Sequence, residues 1–391
     1  MNPVVRRLGR NVVRLLTLPS VLFIYIVLKV AYRGRTLRVV VMDPRLFGHQ
    51  SLEPEVFWND WQLALERGSQ DLWRCCIGKR SLASNEYLWK LTREHFPTVP
   101  SWLTTSIAYW KPRISLANIE LVDASIYRLG FLTSRATTLP QSEVLNGQRE
   151  EVLSRFRDPS RPYVVFTVRE FNRASNNNEL RNRQIADFVP AMTALTQRGF
   201  NVIRLTSRTN DPIVGQLDGI LDWQVLEDGR PGDELAIISG ATFVVSTTTG
   251  GDCLALAYRR PVLYLDAARF YLVFLGTELA TFQVPRIEVQ GANRLLNLAE
   301  ILDRSLGWVA EQESFEAAGV RVVNSTPDEI REHVLEYLAT DNWKNIDVAD
   351  RSEAWWREAL LARHNAEVME RHGPVRARMH PASKRALLPA S

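Results

Sequence analysis

The stretch that most constrains this chain is Phe243 to Asp266, FVVSTTTGGDCLALAYRRPVLYLD. Phe243, Val244 and Val245 form a short apolar run with β-branched residues and read as a buried strand. A loop of hydroxyls and glycines follows, from Ser246 and Thr247 through Thr248 and Thr249 to Gly250 and Gly251. Asp252 to Tyr258 has helical composition. Arg259 and Arg260 stand where cations suit the helix dipole, and Pro261 stops the helix. Val262 to Leu265 is a second strand. Such a turn sets backbone N–H groups and the positive end of a helix at the carboxyl edge of a parallel sheet. Two glycines allow close approach, and anions, diphosphates above all, bind in such places. An ordinary strand-to-helix turn rich in small residues reads the same way. The loop is neither a Walker loop nor a G-x-G-x-x-G fingerprint, so the rest of the chain has to decide.

At 391 residues there is length for two domains, and 46% hydrophobic with 24% charged residues is a globular composition. The net charge of +4 is gathered largely at the two ends, which argues against a nucleic-acid footprint. Cys75, Cys76 and Cys253 have no zinc spacing and make no disulfide framework, which fits a reducing compartment.

The N-terminus has its own character. Arg6, Arg7, Arg10 and Arg14 precede an apolar run from Leu15 to Leu28, and Arg33, Arg35 and Arg38 follow. The run is short for a spanning helix, which wants about 20 residues, and it contains Pro19. No small-residue cleavage site follows it. Basic flanks favour a segment that lies in, or re-enters, an anionic membrane surface; a buried hydrophobic helix is the plainer reading.

Thr36 to Met42 reads as the first strand of a domain and Asp43 to Gln50 as the loop after it. A helix opens at Glu53-Pro54, a second strand runs from Asp71 to Ile77, and Ser84 caps a helix reaching His95. Between Phe96 and Asn146 the pattern weakens among Pro97, Pro100, Pro112 and Pro140, and a linker is expected near 141–161. A second unit starts at Tyr163 to Val168. It continues with a helix from Ile185 closed by Gly199, a strand at Asn201 to Leu205, a short strand at Leu221 to Trp223, and a helix at Asp233 to Ser239. After Asp266 come a strand at Ile287 to Val289 and helices at Ala299 to Leu306, Pro327 to Ala339, about 354–371 and Ala382 to Leu388. Alternating strands and helices specify an α/β chain with parallel sheets. In such sheets ligands sit outside the carboxyl ends of the strands. Three ends in the second unit carry suitable groups: Arg169, Arg204 with Ser207, and the loop from Ser246 to Asp252. Arg181, Asn182 and Arg183 lie near enough to join them, and two guanidiniums beside a helix N-terminus would clamp a diphosphate. Each arginine alone would equally make a surface ion pair.

In order along the chain stand Thr167-Val168-Arg169-Glu170, Arg181-Asn182, Gly199 to Arg204, Asp222-Trp223, Asp233-Glu234 and Thr248-Thr249-Gly250. Arg45-Leu46-Phe47-Gly48-His49-Gln50 and Asn85 to Leu88 stand before them, and Asn324 to Ile330 after. This succession resembles bacterial glycosyltransferases of GT-B type associated with surface polysaccharides, over roughly residues 36–340. The arginine motif is also similar to the His-x-Arg of protein O-fucosyltransferases, where the arginine meets the donor phosphates. Two departures stand out: Thr167 replaces the family histidine, and Glu170 replaces its aspartate.

The resemblance implies two Rossmann-like domains facing a cleft. An acceptor domain would span 36–150 and a donor domain 160–340, with a helical tail at 341–391 that packs back toward the first domain; the apolar run between basic flanks makes 1–35 a membrane-associating segment. It implies transfer of a hexosyl or deoxyhexosyl group from a nucleotide sugar to a glycan or lipid-linked acceptor, at the cytoplasmic face of a membrane. Arg169 would stabilise the departing diphosphate. Arg181, Asn182, Arg204, Ser207, Asp222, Asp233, Ser246, Thr248, Thr249, Gly250 and Gly251 would form the donor site. No cofactor, no metal and no nucleic acid enter this reading, and no Asp-x-Asp occurs. His49 is the first candidate for the base that takes the acceptor proton, since an imidazole titrates near neutrality; Glu53 and Asp43 are the others. A non-catalytic membrane-bound scaffold, or transfer of a pyruvyl or phosphoryl group on the same fold, are the competing readings.

Overall fold

Two runs of β-branched and aromatic residues, LRVVV at Leu37–Val41 and YVVFT at Tyr163–Thr167, form interior strands of two separate parallel sheets. The computed structural model describes residues 3–31, 35–45, 47–114, 116–123, 142–170, 180–206, 213, 217–224, 230, 232–269, 277–308, 312–340 and 378–387. They belong to two units, Met1–Tyr127 and Arg128–Ser391.

The first unit runs α1 (Pro3–Val30), β1 (Leu37–Val41), α2 (Phe47–Glu66), β2 (Leu72–Cys76), α3 (Glu86–His95), α4 (Ser101–Trp110) and β3 (Ile119–Asp123). Its strands lie in the order β2-β1-β3, both pairs parallel. Val39 and Val40 point to opposite faces and both are buried, so β1 is covered on both sides. The start of α2 differs from the expectation. The helix begins at Phe47, well before Pro54, and the Ser51 hydroxyl ties back to the Phe47 carbonyl at 2.9 Å. The cap of α3 also differs. Asn85 Oδ1 accepts the Leu88 N–H at 2.9 Å, while the Ser84 hydroxyl donates to Gln50 at 2.7 Å.

One face of α1 is part of this unit's core. Val21 and Leu28 are buried with Leu37, Val39, Leu103 and Ile107. The Ser106 hydroxyl of α4 donates to Thr17 of α1 at 2.8 Å. Among the described residues no helix is long and apolar enough to cross a membrane.

The second unit continues with α5 (Glu143–Leu153), β4 (Tyr163–Thr167), α6 (Val189–Thr196), β5 (Asn201–Thr206), β6 (Ile220–Gln224), α7 (Asp233–Ser239), β7 (Phe243–Ser246), α8 (Gly250–Ala257), β8 (Val262–Tyr264) and β9 (Ala280–Phe282). It ends with β10 (Arg286–Val289), α9 (Leu298–Asp303), α10 (Gln312–Ala317), β11 (Val320–Val323), α11 (Pro327–Ala339), β12 (Arg378–Met379) and α12 (Pro381–Leu387). Seven parallel strands lie in the order β12-β9-β8-β7-β4-β5-β6, and β10 and β11 pair antiparallel beside them. Gly199 closes the turn after α6 with φ at 85°, a backbone angle that favours glycine. Phe166, Phe188, Met192, Phe243, Val334 and Tyr337 fill one core between the sheet and the helices α6 and α11. α5, which the proline-rich reading assigns to the linker, packs on α7 within this unit.

Where it is described, the tail joins the second unit: β12 pairs in parallel with β9. Arg385 forks onto the Glu336 carboxylate at 2.6 and 3.0 Å, and the ring of His380 meets that of His333 at 5.2 Å. The helix expected at about 354–371 lies outside the described residues. His380 is fully buried, and burial pushes its pKa down to about 4, with the neighbouring His333 acting in the same direction and Glu336 against it. A histidine held neutral in this way contributes stability that is complete above its ordinary value near 6.5 and is lost as pH falls toward 4. Acidification from pH 7 to 5 is therefore expected to loosen the β12–α12 segment before the rest of the unit. Hydrogen exchange of residues 378–387 at the two pH values measures this; equal protection at both would refute it.

Candidate functional site

The order of the large sheet fixes where a ligand is to be sought. From β4 the chain moves outward to β5 and β6, then returns to the other side of β4 to lay down β7, β8 and β9. The strand order reverses between β4 and β7, and the carboxyl ends of two such strands open a crevice in sheets of this kind. Arg169 follows β4 and the loop from Thr247 to Gly250 follows β7, so two sequence elements 78 residues apart meet at that point.

Several bonds join them. The Arg169 N–H donates to the Thr247 hydroxyl at 2.8 Å, and the Thr247 N–H reaches the Thr167 carbonyl at 3.3 Å. Arg181 donates to the Thr248 carbonyl at 2.9 Å. The Arg183 N–H donates to the Arg169 carbonyl at 2.8 Å. Thr248 itself sits at φ 59°, in the left-handed region that a β-branched residue rarely adopts. Strain of this kind persists only where the surroundings over-determine the backbone, and it collects at functional loops.

The N-terminus of α8 is occupied by the protein's own carboxylate. Asp252 accepts the Thr249 N–H at 2.8 Å and the Ser246 hydroxyl at 2.9 Å, and the Gly251 N–H is taken by the Thr249 hydroxyl at 3.1 Å. This is a capping box, and it corrects the expectation that the N–H groups of Thr249 and Gly251 lie open to an anion. Asp252 is buried, and burial raises its pKa to about 6 against the pull of the Ser246 and Thr249 bonds.

Gly251 is required for packing. A Cβ placed there would come within 2.7 Å of the Thr167 methyl. Thr167 therefore fills the space directly over the first turn of α8, and an imidazole at this position would need the loop to move. Gly251→Ala is expected to cost about 1–3 kcal/mol through overpacking. Adding Thr167→Ser, which removes that methyl, should recover part of the loss. Urea midpoints of the two variants test this, and an additive double variant would show that the contact is not the cause.

Three of the other predicted residues, Arg204, Asp222 and Asp233, are held in bonds within the second unit. Arg204 is almost fully buried; one amino group meets both oxygens of Glu170 at 2.7 Å and the other meets Asp222 at 2.9 Å. Its guanidinium ties the carboxyl ends of β4, β5 and β6 together, which is a different task from clamping a diphosphate. Asp222 also accepts the Ile213 N–H at 2.7 Å. Asp233 accepts the Arg230 N–H at 3.0 Å just before α7. Asn182 lines a polar cavity of about 430 Å³ with Arg183, Gln184, Asp187, Asn324 and Ser325. Ser207 lies outside the described residues. His49 falls in the first turn of α2, and its side chain is likewise outside the description. The alternative bases are both engaged: Glu53 is buried and accepts the Asp43 N–H at 2.9 Å, and Asp43 pairs with Arg45 at 2.8 Å.

Two residues of this region escape sequence reasoning. Thr247 looks like any hydroxyl of the loop, yet it carries the link to Arg169. Asp266, at φ 51°, accepts both the N–H and the hydroxyl of Ser325, at 3.0 and 2.8 Å, and pairs with the buried Arg183. Its place at the carboxyl end of β8, next to β7, was the available signal.

No protein-family model and no curated protein matches the chain. Among solved structures it is similar to E. coli ADP-heptose LPS heptosyltransferase II, at 12% identity over 78% of this chain and 99% of that one, with a TM-score of 0.45. It is also similar to a glycosyl transferase family 9 protein from Veillonella parvula, at 10% identity over 73% and 96%, with a TM-score of 0.39. The spinosyn forosaminyltransferase SpnP shows 10% identity over 86% and 97%, with a TM-score of 0.31. At these values the likenesses carry no weight for function.

Proposed function

We propose that this protein is a glycosyltransferase that takes a nucleotide-sugar donor at the carboxyl ends of β4 and β7. The observation that carries the reading is the junction of Arg169 and Arg181 with the strained Thr248 loop at the reversal of strand order. In the reaction, the acceptor oxygen bonds to the anomeric carbon while the bond from that carbon to the phosphate oxygen breaks. The electron pair stays on the diphosphate, and the acceptor proton passes to a base, for which His49 is the candidate on sequence. Arg169 supplies positive charge where the diphosphate gains negative charge, an interaction stronger in the transition state than in the ground state. Arg181 holds the Thr248 carbonyl and with it the shape of the loop. Asp252 and Ser246 fix the loop from beneath. The acceptor is a glycan or a lipid-linked glycan in this reading, and a role in surface polysaccharide synthesis belongs to the same proposal.

Calorimetric titration with ADP, GDP and UDP tests it. One of the three is expected to bind in the micromolar range with EDTA present, since arginine rather than a metal meets the phosphates. Absence of binding by all three would favour the scaffold reading over any transferase.

A further inference from the structure

α1 is apolar on two sides, and the domain uses only one of them. Val21 and Leu28 face the core with Ile24 and Tyr25 packed beside them, whereas Leu16, Phe23, Ile26 and Val30 are 72, 67, 56 and 74% exposed. These four recur at helical spacing and share one face of the helix. In the sequence the same three-and-four spacing continues toward the N-terminus at Val12, Leu8 and Val5, with Arg6, Arg7, Arg10 and Arg14 falling between. Soluble surfaces seldom expose a continuous stripe of large apolar side chains. Trp102 of α4, 47% exposed, lies one turn before Ser106, whose hydroxyl holds Thr17 of α1. An exposed indole is the residue type favoured where water meets lipid.

Charge says what covers the stripe. The first acidic residue of the chain is Asp43, and eight cations precede it. Arg38 is answered by Asp71 and Glu120, at 2.9 and 2.7 Å. The other seven, Arg6, Arg7, Arg10, Arg14, Lys29, Arg33 and Arg35, stand within α1 or just after it in the sequence. Without these eight charges the remaining 349 residues carry a net −4. A strongly cationic segment of the chain therefore coincides with a long exposed apolar helix face.

We propose that α1 docks this protein on an anionic lipid surface, lying in the plane of the headgroups with Leu16, Phe23, Ile26 and Val30 toward the acyl chains and Val21 and Leu28 kept on the domain. The helix does not span the membrane, because a spanning helix would have to give up its packing on β1 and α4. Long basic side chains reach the phosphates while the stripe takes up acyl contacts, which is how interfacial helices bind. This docking is independent of the donor site.

Vesicle sedimentation of the full chain tests the inference, with phosphatidylcholine alone and phosphatidylcholine mixed with phosphatidylglycerol. The protein is expected to sediment with the mixed vesicles and to be released by alkaline carbonate. Added salt should weaken binding. The double variant Phe23→Asp, Ile26→Asp leaves Val21 and Leu28 untouched and should lower partitioning roughly tenfold or more; its urea midpoint, unchanged from the parent, shows that α1 still packs. Equal binding by the double variant would overturn the proposal. So would no binding to mixed vesicles, retention through carbonate, or concentration-dependent dimerisation that consumes the same face.

Discussion

Replacing Arg169 by alanine is expected to weaken nucleoside diphosphate binding and lower sugar transfer by roughly ten- to a hundredfold, because a hydrogen bond to a charged group contributes about 1.5–3 kcal/mol. The fold should survive. Arg169 is partly exposed, just beyond the end of β4, and the bond that ties it to the loop uses its main-chain N–H, which alanine retains. Arg169→Lys keeps the charge and loses the planar fork, so it should fall between the two. Titration with the diphosphate found to bind, set beside a urea midpoint, separates the outcomes. An alanine variant that folds and keeps full affinity and turnover would make Arg169 an ordinary ion-pair partner and remove the main support for transfer.

Arg204→Ala should behave in the opposite way, with a large loss of stability and no specific loss of affinity. Removing the guanidinium strands Glu170 and Asp222 at the carboxyl ends of three strands. Breaking a buried pair by deleting one partner costs about 3–5 kcal/mol. A domain has only about 5–15 kcal/mol in all, so the urea midpoint should collapse and soluble yield should fall. Arg204→Ala combined with Glu170→Gln should lose less than the sum of the two single changes, because the stranded charge is gone. A loss of unfolding free energy below about 1 kcal/mol in Arg204→Ala would show that water reaches the pair and screens it.

These two arginines also show where the sequence stops being informative. Both stand near the carboxyl ends of strands, and both look equally suited to a phosphate. What separates them is the chain bringing Glu170 and Asp222 to either side of one and Thr247 to the other. That follows from strand order, which no local pattern encodes. By contrast, the unit from Phe243 to Asp266 is readable nearly residue by residue, because Gly250, Gly251 and Pro261 punctuate it and the apolar runs on either side are short and β-branched. β3, with IELVD, carries too little apolar character to stand out in a proline-rich region. The start of α2 is hidden by Pro54, which a helix tolerates here in its second turn. The loop of Thr249 to Asp252 misleads for another reason. A capping box and an anion cradle ask for the same residue types, and only the position of the Asp252 carboxylate distinguishes them.

The pairing of β12 with β9 sets a timetable for synthesis. Phe282 emerges from the ribosome more than ninety residues ahead of Arg378, an interval of about 5–20 s at ordinary elongation rates. Through that interval β9, buried along its whole length in the finished protein, presents one open row of backbone donors and acceptors. The nascent chain is thus most open to adhesion after its large core can form and before its edge is closed. Chains halted after residue 377 should self-associate where chains halted after 387 do not, and light scattering of the two would read the difference.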